Sequence, residues 1–302
     1  MIRPPRLHPG DPVRVVAPSG PVPREAFDAG LAVLRARYDV RYDDGVFARE
    51  GFLAGSDERR LAELTAALAD DDARALFMAR GGYGLMRILP FLDPGALARR
   101  PRPVAGFSDG TVLLGFAARA GVTAIHGPVL TQLGNLSADD QRALFRLLEE
   151  PNPGLLLDGM EGLMPGRARG PLVGGNLEVF SRLVGTPYLP DVDGAVLFFE
   201  DLSERPYEVD RLITYLDLAG IFGRASGVVL GDFSRCREPE ATRASTPTAE
   251  EVLVERLGRL AIPVALGGAF GHGTRNVALP YGALCELDSQ AGTLVALEGA
   301  VS

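Results

Sequence analysis

The stretch Val104-Ala105-Gly106-Phe107-Ser108-Asp109-Gly110-Thr111-Val112-Leu113-Leu114-Gly115-Phe116 joins a short apolar run to a helix-like segment through a sharp polar turn. A serine stands at its apex with a glycine two residues away on each side. Gly-x-Ser-x-Gly between a strand and a helix is the pattern of a nucleophile elbow. The turn is tight, its neighbours crowd the backbone, and the serine oxygen must stand clear of the sheet. The same residues also fit a Ser-Asp cap on an ordinary helix, so the surrounding chain has to decide.

Working outward from this turn, strands and helices alternate. Upstream, residues 13–17 read as a strand closed by Pro18-Ser19-Gly20-Pro21, followed by a helix with Phe27, Leu31 and Leu34 at helical spacing. A second strand fits residues 38–42. Ser56-Asp57 offers N-cap chemistry before a helix over 58–69, with Leu61, Leu64 and Leu68 on one face. Residues 75–79 read as a buried strand running into Arg80-Gly81-Gly82-Tyr83-Gly84. Downstream come a strand over 122–126 and a helix opened by Ser137-x-x-Asp140. This alternation predicts an α/β domain over residues 1–149, built on a doubly wound parallel sheet.

The composition changes at Glu150-Pro151-Asn152-Pro153-Gly154, and residues 150–170 read as a Pro- and Gly-rich linker. Residues 171–302 read as a smaller α+β domain. It holds an apolar strand over 194–199 that ends in Glu200-Asp201, a helix over 206–219 and a strand over 227–231. A helix capped by Thr248-x-x-Glu251 follows, then an apolar run into Gly267-Gly268-Ala269-Phe270-Gly271-His272-Gly273 and short antiparallel strands from 277 to 296.

The 302 residues are 46% hydrophobic and 23% charged, as in ordinary soluble proteins, and the formal net charge of -8 argues against a nucleic-acid or anionic-membrane partner. Cys236 and Cys285 offer no disulfide framework. Neither the three histidines nor the two cysteines have the number and spacing that point to a zinc site, and no metal or cofactor is expected. Without a signal-peptide core or a run of about 18 apolar residues, a cytoplasmic protein is the expectation.

Three groups carry possible chemistry. His272, between two glycines, is either a general base for a nearby hydroxyl or a plain turn histidine. A base of this kind needs a carboxylate to fix its tautomer. Glu200 at the end of its apolar strand is the first candidate, with Asp201 and Glu204 as rivals. Arg80-Gly81-Gly82-Tyr83-Gly84 comes off a parallel strand where α/β ligand sites form. It lacks the phosphate-loop ending and instead suits the supply of backbone N–H groups to an oxyanion. Gly174-Gly175-Asn176 is a further cleft-lining candidate, and His126 and His8 read as structural.

Taken in order, these pieces resemble the LD-carboxypeptidase family of serine peptidases, which includes the microcin C immunity peptidases. The resemblance rests on Val16-Ala17-Pro18-Ser19-Gly20, Gly51 to Asp57, Arg80 to Gly84, Gly106-Phe107-Ser108-Asp109, His126-Gly127-Pro128, Gly174-Gly175-Asn176-Leu177, Glu200-Asp201 with Pro206-Tyr207 and Asp210-Arg211, and Gly271-His272-Gly273. It implies a Ser108-Glu200-His272 triad divided between two domains, with backbone donors from Asp109 and from Gly81 or Gly82. Arg80, Tyr83 and Asn176 are the substrate-binding candidates. The implied activity is release of terminal D-alanine from peptidoglycan tetrapeptides by a cytoplasmic homodimer acting on a small peptide. The rival readings are a microcin C-type peptidase, an α/β-hydrolase esterase and a non-catalytic peptide-binding protein. Against the first stands the absence of tryptophan for stacking an adenine.

Overall fold

The computed structural model describes residues 1–239 and 246–302. Two compact units divide the chain: Met1–Pro151 with Ala278–Gly282 and Gly299–Ser302, and Asn152–Val277 with Ala283–Glu298. The strands in chain order are β1 (Pro12–Val16), β2 (Asp39–Arg41), β3 (Ala75–Met78), β4 (Val104–Gly106), β5 (Ala124–His126), β6 (Gly154–Leu157) and β7 (Glu161–Met164). Then come β8 (Arg167–Asn176), β9 (Val196–Leu202), β10 (Gly227–Ser234), β11 (Val264–Leu266), β12 (Leu279–Tyr281), β13 (Leu284–Asp288) and β14 (Thr293–Ala296). No helix among the described residues is long and apolar enough to cross a membrane.

The first unit is built on the sheet β12-β5-β4-β3-β1-β2, in which β1 to β5 are parallel and β12 runs antiparallel to β5. Every residue of β3 is buried, as in a parallel strand covered on both faces. The chain order reverses at β1, so β1 and β3 flank the point at which open α/β sheets leave a crevice at their carboxyl ends. Helix Arg24–Arg35 buries Phe27, Leu31 and Leu34, as its spacing predicts.

Helix Asp57–Ala69 departs from expectation. Its cap is Ser56, whose hydroxyl accepts from the Arg59 N–H, but Leu61 is only half-buried, and Arg60 and Glu63 lie inside with Leu64, Ala67 and Leu68. These charges are buried because the loops leaving β1 and β3 need partners. Arg60 donates from Nη1 to the carbonyls of Pro18 (2.6 Å) and Gly84 (2.9 Å). Glu63 accepts from the Ala17 N–H at 2.7 Å, and Arg59 donates to the carbonyls of Ala17 and Ala54. Buried loop backbone of this kind must be paired, and the helix supplies the pairing.

The elbow follows β4 as the turn Ser108–Gly110 and helix Thr111–Arg119. Its two glycines have one cause. A Cβ on Gly106 or on Gly110 would stand 2.7 Å from Sδ of Met78, which fills the space beside both.

In the second unit β8, β9, β10 and β11 form a parallel centre. Antiparallel β7 flanks one side and β13, β14 and β6 the other, in the order β6-β14-β13-β8-β9-β10-β11-β7. Residues 150–170 are therefore not a linker: they carry β6, β7 and the start of β8. Gly159 and Gly166, both at positive φ, turn the chain between these strands, while Leu156, Leu157 and Met160 are buried. Nor do residues 171–302 stay in one unit. The tail expected as a run of antiparallel strands sends β12, buried throughout, to the first sheet. Both expected caps are present. Ser137 accepts from the Asp140 N–H, and Thr248 and Glu251 form a reciprocal capping box.

Gly110→Ala is expected to destabilise the protein by about 1–3 kcal/mol through overpacking against Met78. In a double-mutant cycle by chemical denaturation, Met78→Ala should recover at least about 1 kcal/mol of that loss. Additive effects would contradict the packing.

Candidate active site

Ser108 leaves β4 with φ +63°, a left-handed conformation that costs a non-glycine residue on the order of 1 kcal/mol. The strain is held by its neighbours. Gly81 lies so close that a Cβ there would stand 2.7 Å from Ser108 Cβ and 2.9 Å from Oγ. The Gly81 carbonyl accepts from the Gly20 N–H at 3.0 Å, linking the loops after β1 and β3. Gly82, at φ +106°, continues the turn. Ser108 is thus pressed against bare backbone at the carboxyl end of a parallel sheet.

The next residue anchors that arrangement. Asp109 is buried, and its Oδ2 accepts from the Ser19 hydroxyl at 2.6 Å and the Leu85 N–H at 2.9 Å. Burial pushes its carboxyl above the usual range, opposed by these bonds and by the Arg60 charge. One side chain thus fixes both loops to the elbow. Arg80 is half-buried and donates to the Pro21 carbonyl, while exposed Tyr83 tilts its ring against Phe52 at a centroid distance of 5.8 Å.

In the second unit, β9 ends in Glu200 and Asp201, and successive residues of a strand face opposite sides. Glu200 is fully buried and its Oε2 lies 2.6 Å from Nδ1 of His272, whose side chain is 15% exposed. A carboxylate only accepts, so Nδ1–H donates, and in the neutral imidazole this tautomer makes Nε2 the acceptor nitrogen. The loop permits this contact because Gly271 has no side chain. At φ +122°, a Cβ there would meet Glu200 Cβ at 2.9 Å and Oε2 at 3.0 Å. The Gly271 N–H donates to the fully buried Asn276.

Asp201 turns away from His272. It accepts from the N–H groups of Leu202 and Glu178 and from Nδ2 of Asn176, at 2.7, 3.0 and 2.9 Å. Burial, helped by repulsion from Glu200, pushes its carboxyl up to about 7. Asn176 also caps helix Leu177–Ser181 by accepting from the Val179 N–H, so its amide ties the ends of β8 and β9 together. Glu204 is partly buried, with its carboxyl raised. His126 is buried at the end of β5 with its ring edge-on to Phe107 at 5.5 Å, and His8 is exposed.

Within the first unit, Ser108, Asp109, Arg80, Gly81, Gly82 and Tyr83 thus belong to one cluster of loops. Within the second, Glu200, His272 and Asn176 lie at and beside the end of β9. Sequence reasoning missed Ser19, Arg60 and Glu63, which hold the first cluster. The available signal was two charged residues three apart on the same helical stripe as Leu64, Ala67 and Leu68.

A strained serine on a parallel sheet and a histidine engaged by a buried carboxylate are the parts of a serine hydrolase. Residues 13–127 match the LD-carboxypeptidase N-terminal domain and residues 169–287 its C-terminal domain. A Synechocystis protein named provisionally as a carboxypeptidase is 40% identical over 300 residues, covering 97% of this chain and 96% of that protein. The murein tetrapeptide carboxypeptidase of Pseudomonas aeruginosa is 35% identical, covering 91% and 92%. The structure of muramoyltetrapeptide carboxypeptidase from Oxalobacter formigenes superposes with a TM-score of 0.82 at 30% identity, covering 94% and 97%. The microcin C7 self-immunity protein MccF shares the fold, with a TM-score of 0.90 at 22% identity over the whole of both chains. The chain belongs to the LD-carboxypeptidase family and is a peptide hydrolase of the serine carboxypeptidase class.

The Asp201 carboxyl titrates near 7 in the fold against 3.8 ordinarily, so folding favours its protonated form. That contribution is full below about pH 4 and is lost as pH rises through about 7. The stability of wild type relative to Asp201→Asn, followed by denaturant unfolding, should therefore fall between pH 5 and pH 8. The change is on the order of a few kcal/mol. A flat difference would contradict the burial argument.

Proposed function

We propose that this chain is a serine LD-carboxypeptidase that releases terminal D-alanine from the stem tetrapeptide of peptidoglycan. The observation that carries the reading is the pairing of His272 Nδ1 with buried Glu200, which leaves Nε2 as a base for a hydroxyl already presented at positive φ on Ser108. In this mechanism Ser108 Oγ attacks the carbonyl carbon of the bond before D-alanine, and His272 takes its proton. Glu200 holds the imidazole and stabilises the imidazolium. The negative charge on the carbonyl oxygen is met by backbone N–H groups. Asp109 supplies one from the first turn after the nucleophile, where N–H groups have no intrahelical partner. Gly81 or Gly82 supplies the other. His272 then protonates the amine of departing D-alanine, water takes its place, and hydrolysis of the acyl-enzyme frees the tripeptide and Ser108.

The substrate class is supported by the printed names of the Pseudomonas and Oxalobacter relatives, at 35% and 30% identity. The microcin C-type reading rests on a fold likeness at 22% identity, and the chain has no tryptophan with which to stack an adenine. The esterase reading would need a single continuous sheet, against the two sheets seen. A cytoplasmic location, a homodimer and the use of no metal or cofactor belong to the same proposal, carried over from the family and from composition.

The test is D-alanine release from L-Ala-γ-D-Glu-diaminopimelate-D-Ala. Wild type should release it, and Ser108→Ala should lower kcat by on the order of 10³-fold or more. Activity of Ser108→Ala within tenfold of wild type would sink the assignment.

A further inference from the structure

A cavity of about 700 Å³ lies in the first unit at the carboxyl ends of β1 and β3, between the loop 20–23 and the loop 80–83. This is the crevice that the strand-order reversal creates. It begins beside the nucleophile: Gly82 lines it, and neighbouring Gly81 is the residue packed on Ser108 Oγ. Its charged lining is Arg80 and Arg49, with no acidic side chain, in a chain of net charge -8. Arg80 is oriented by one bond from Nη1 to the Pro21 carbonyl, which leaves the rest of its fork to a ligand. Arg49 is exposed and makes no ion pair with any described residue. Phe52 and Tyr83, both exposed and in contact with one another, form an apolar wall.

We propose that this cavity is the carboxylate subsite that makes the enzyme an exopeptidase, with Arg80 as the specificity-determining residue and Arg49 on its rim. The inference rests on the carboxypeptidase reading above. A peptidase that releases one residue must distinguish a free carboxylate from a continuing amide. That carboxylate falls a single residue, about 3.8 Å of chain, beyond the bond that Ser108 attacks. A guanidinium binds a carboxylate through two parallel N–H bonds, a geometry an uncharged amide cannot match. In an acidic protein the ligand's charge is repelled at long range, so recognition depends on cations placed locally. Arg80, directly adjacent to Gly81, the residue packed on Ser108, is placed for that task, and the Phe52–Tyr83 wall suits the small apolar side chain of alanine.

The experiment is calorimetric binding to full-length Ser108→Ala, which binds without turnover. Its ligands are the tetrapeptide L-Ala-γ-D-Glu-diaminopimelate-D-Ala and the same peptide with a C-terminal carboxamide. The acid should bind at least about tenfold more tightly than the amide, and adding Arg80→Gln should reduce that ratio to about threefold or less. Arg80→Lys, which keeps the charge and loses the fork, should fall between them. Arg49→Gln lies on an exposed residue and threatens no packing, and it should lower the ratio about twofold to fivefold. Equal binding of acid and amide, or a preference that survives both Arg80→Gln and Arg49→Gln, overturns the proposal. Should Arg80→Gln fail to fold, the Arg49→Gln ratio decides. Absence of D-alanine release by wild type is read separately, because binding to Ser108→Ala does not require the triad to work.

Discussion

The hydrogen bond from Ser19 to Asp109, at 2.6 Å and wholly inside the first unit, is the contact on which the candidate site depends. Burying a carboxylate costs several kcal/mol unless its oxygens are satisfied. Here the Ser19 hydroxyl and the Leu85 N–H offset that cost, and each comes from a different loop. The bonds therefore fasten the chain after β1 and the chain after β3 to the residue that follows the nucleophile. Arg60 and Glu63 repeat the arrangement from the other side, holding Pro18, Gly84 and Ala17 from a helix that could have been wholly apolar inside. Three buried ionisable groups are a costly way to build a core. They are understandable only if the loops must keep one geometry.

That geometry sets the chemistry. A serine at positive φ presents its oxygen away from the sheet, and it stays there because Gly81 and Met78 leave no room for the turn to relax. In the second unit the same economy is seen around Glu200. A glycine at φ +122° lets the carboxylate reach His272, and Asn176 and two backbone N–H groups hold Asp201 in the opposite direction. Adjacent acids are thereby given different tasks by the alternation of a strand.

The parts of this organisation that were legible in the sequence are local. Alternation of apolar runs and caps identified the parallel sheet, and Gly106 and Gly110 marked the elbow by their spacing about Ser108, although the side chain that requires them, Met78, lies on the neighbouring strand. Glu200 ranks above Asp201 because it comes first after the apolar run, with the resemblance in agreement; period-two alternation by itself says that the two differ and not which one faces the histidine. The linker reading of 150–170 failed because turn glycines and strand residues alternate there too quickly for a composition window to separate. β12 was misplaced for a related reason. Three residues long, it carries no information about which sheet it joins. The role of Arg60 and Glu63 was hidden because a charged residue in a helix is ordinarily solvated, and only the positions of loops distant in sequence make these two internal.

The central claim is that Ser108 is a nucleophile activated by His272, and covalent trapping tests it most directly. A fluorophosphonate that needs no substrate recognition, followed by peptide mapping by mass spectrometry, should give one adduct, on Ser108. The labelling rate should fall by about two orders of magnitude or more in His272→Ala. Modification of a different residue, or labelling of Ser108 at the same rate without His272, would contradict the account.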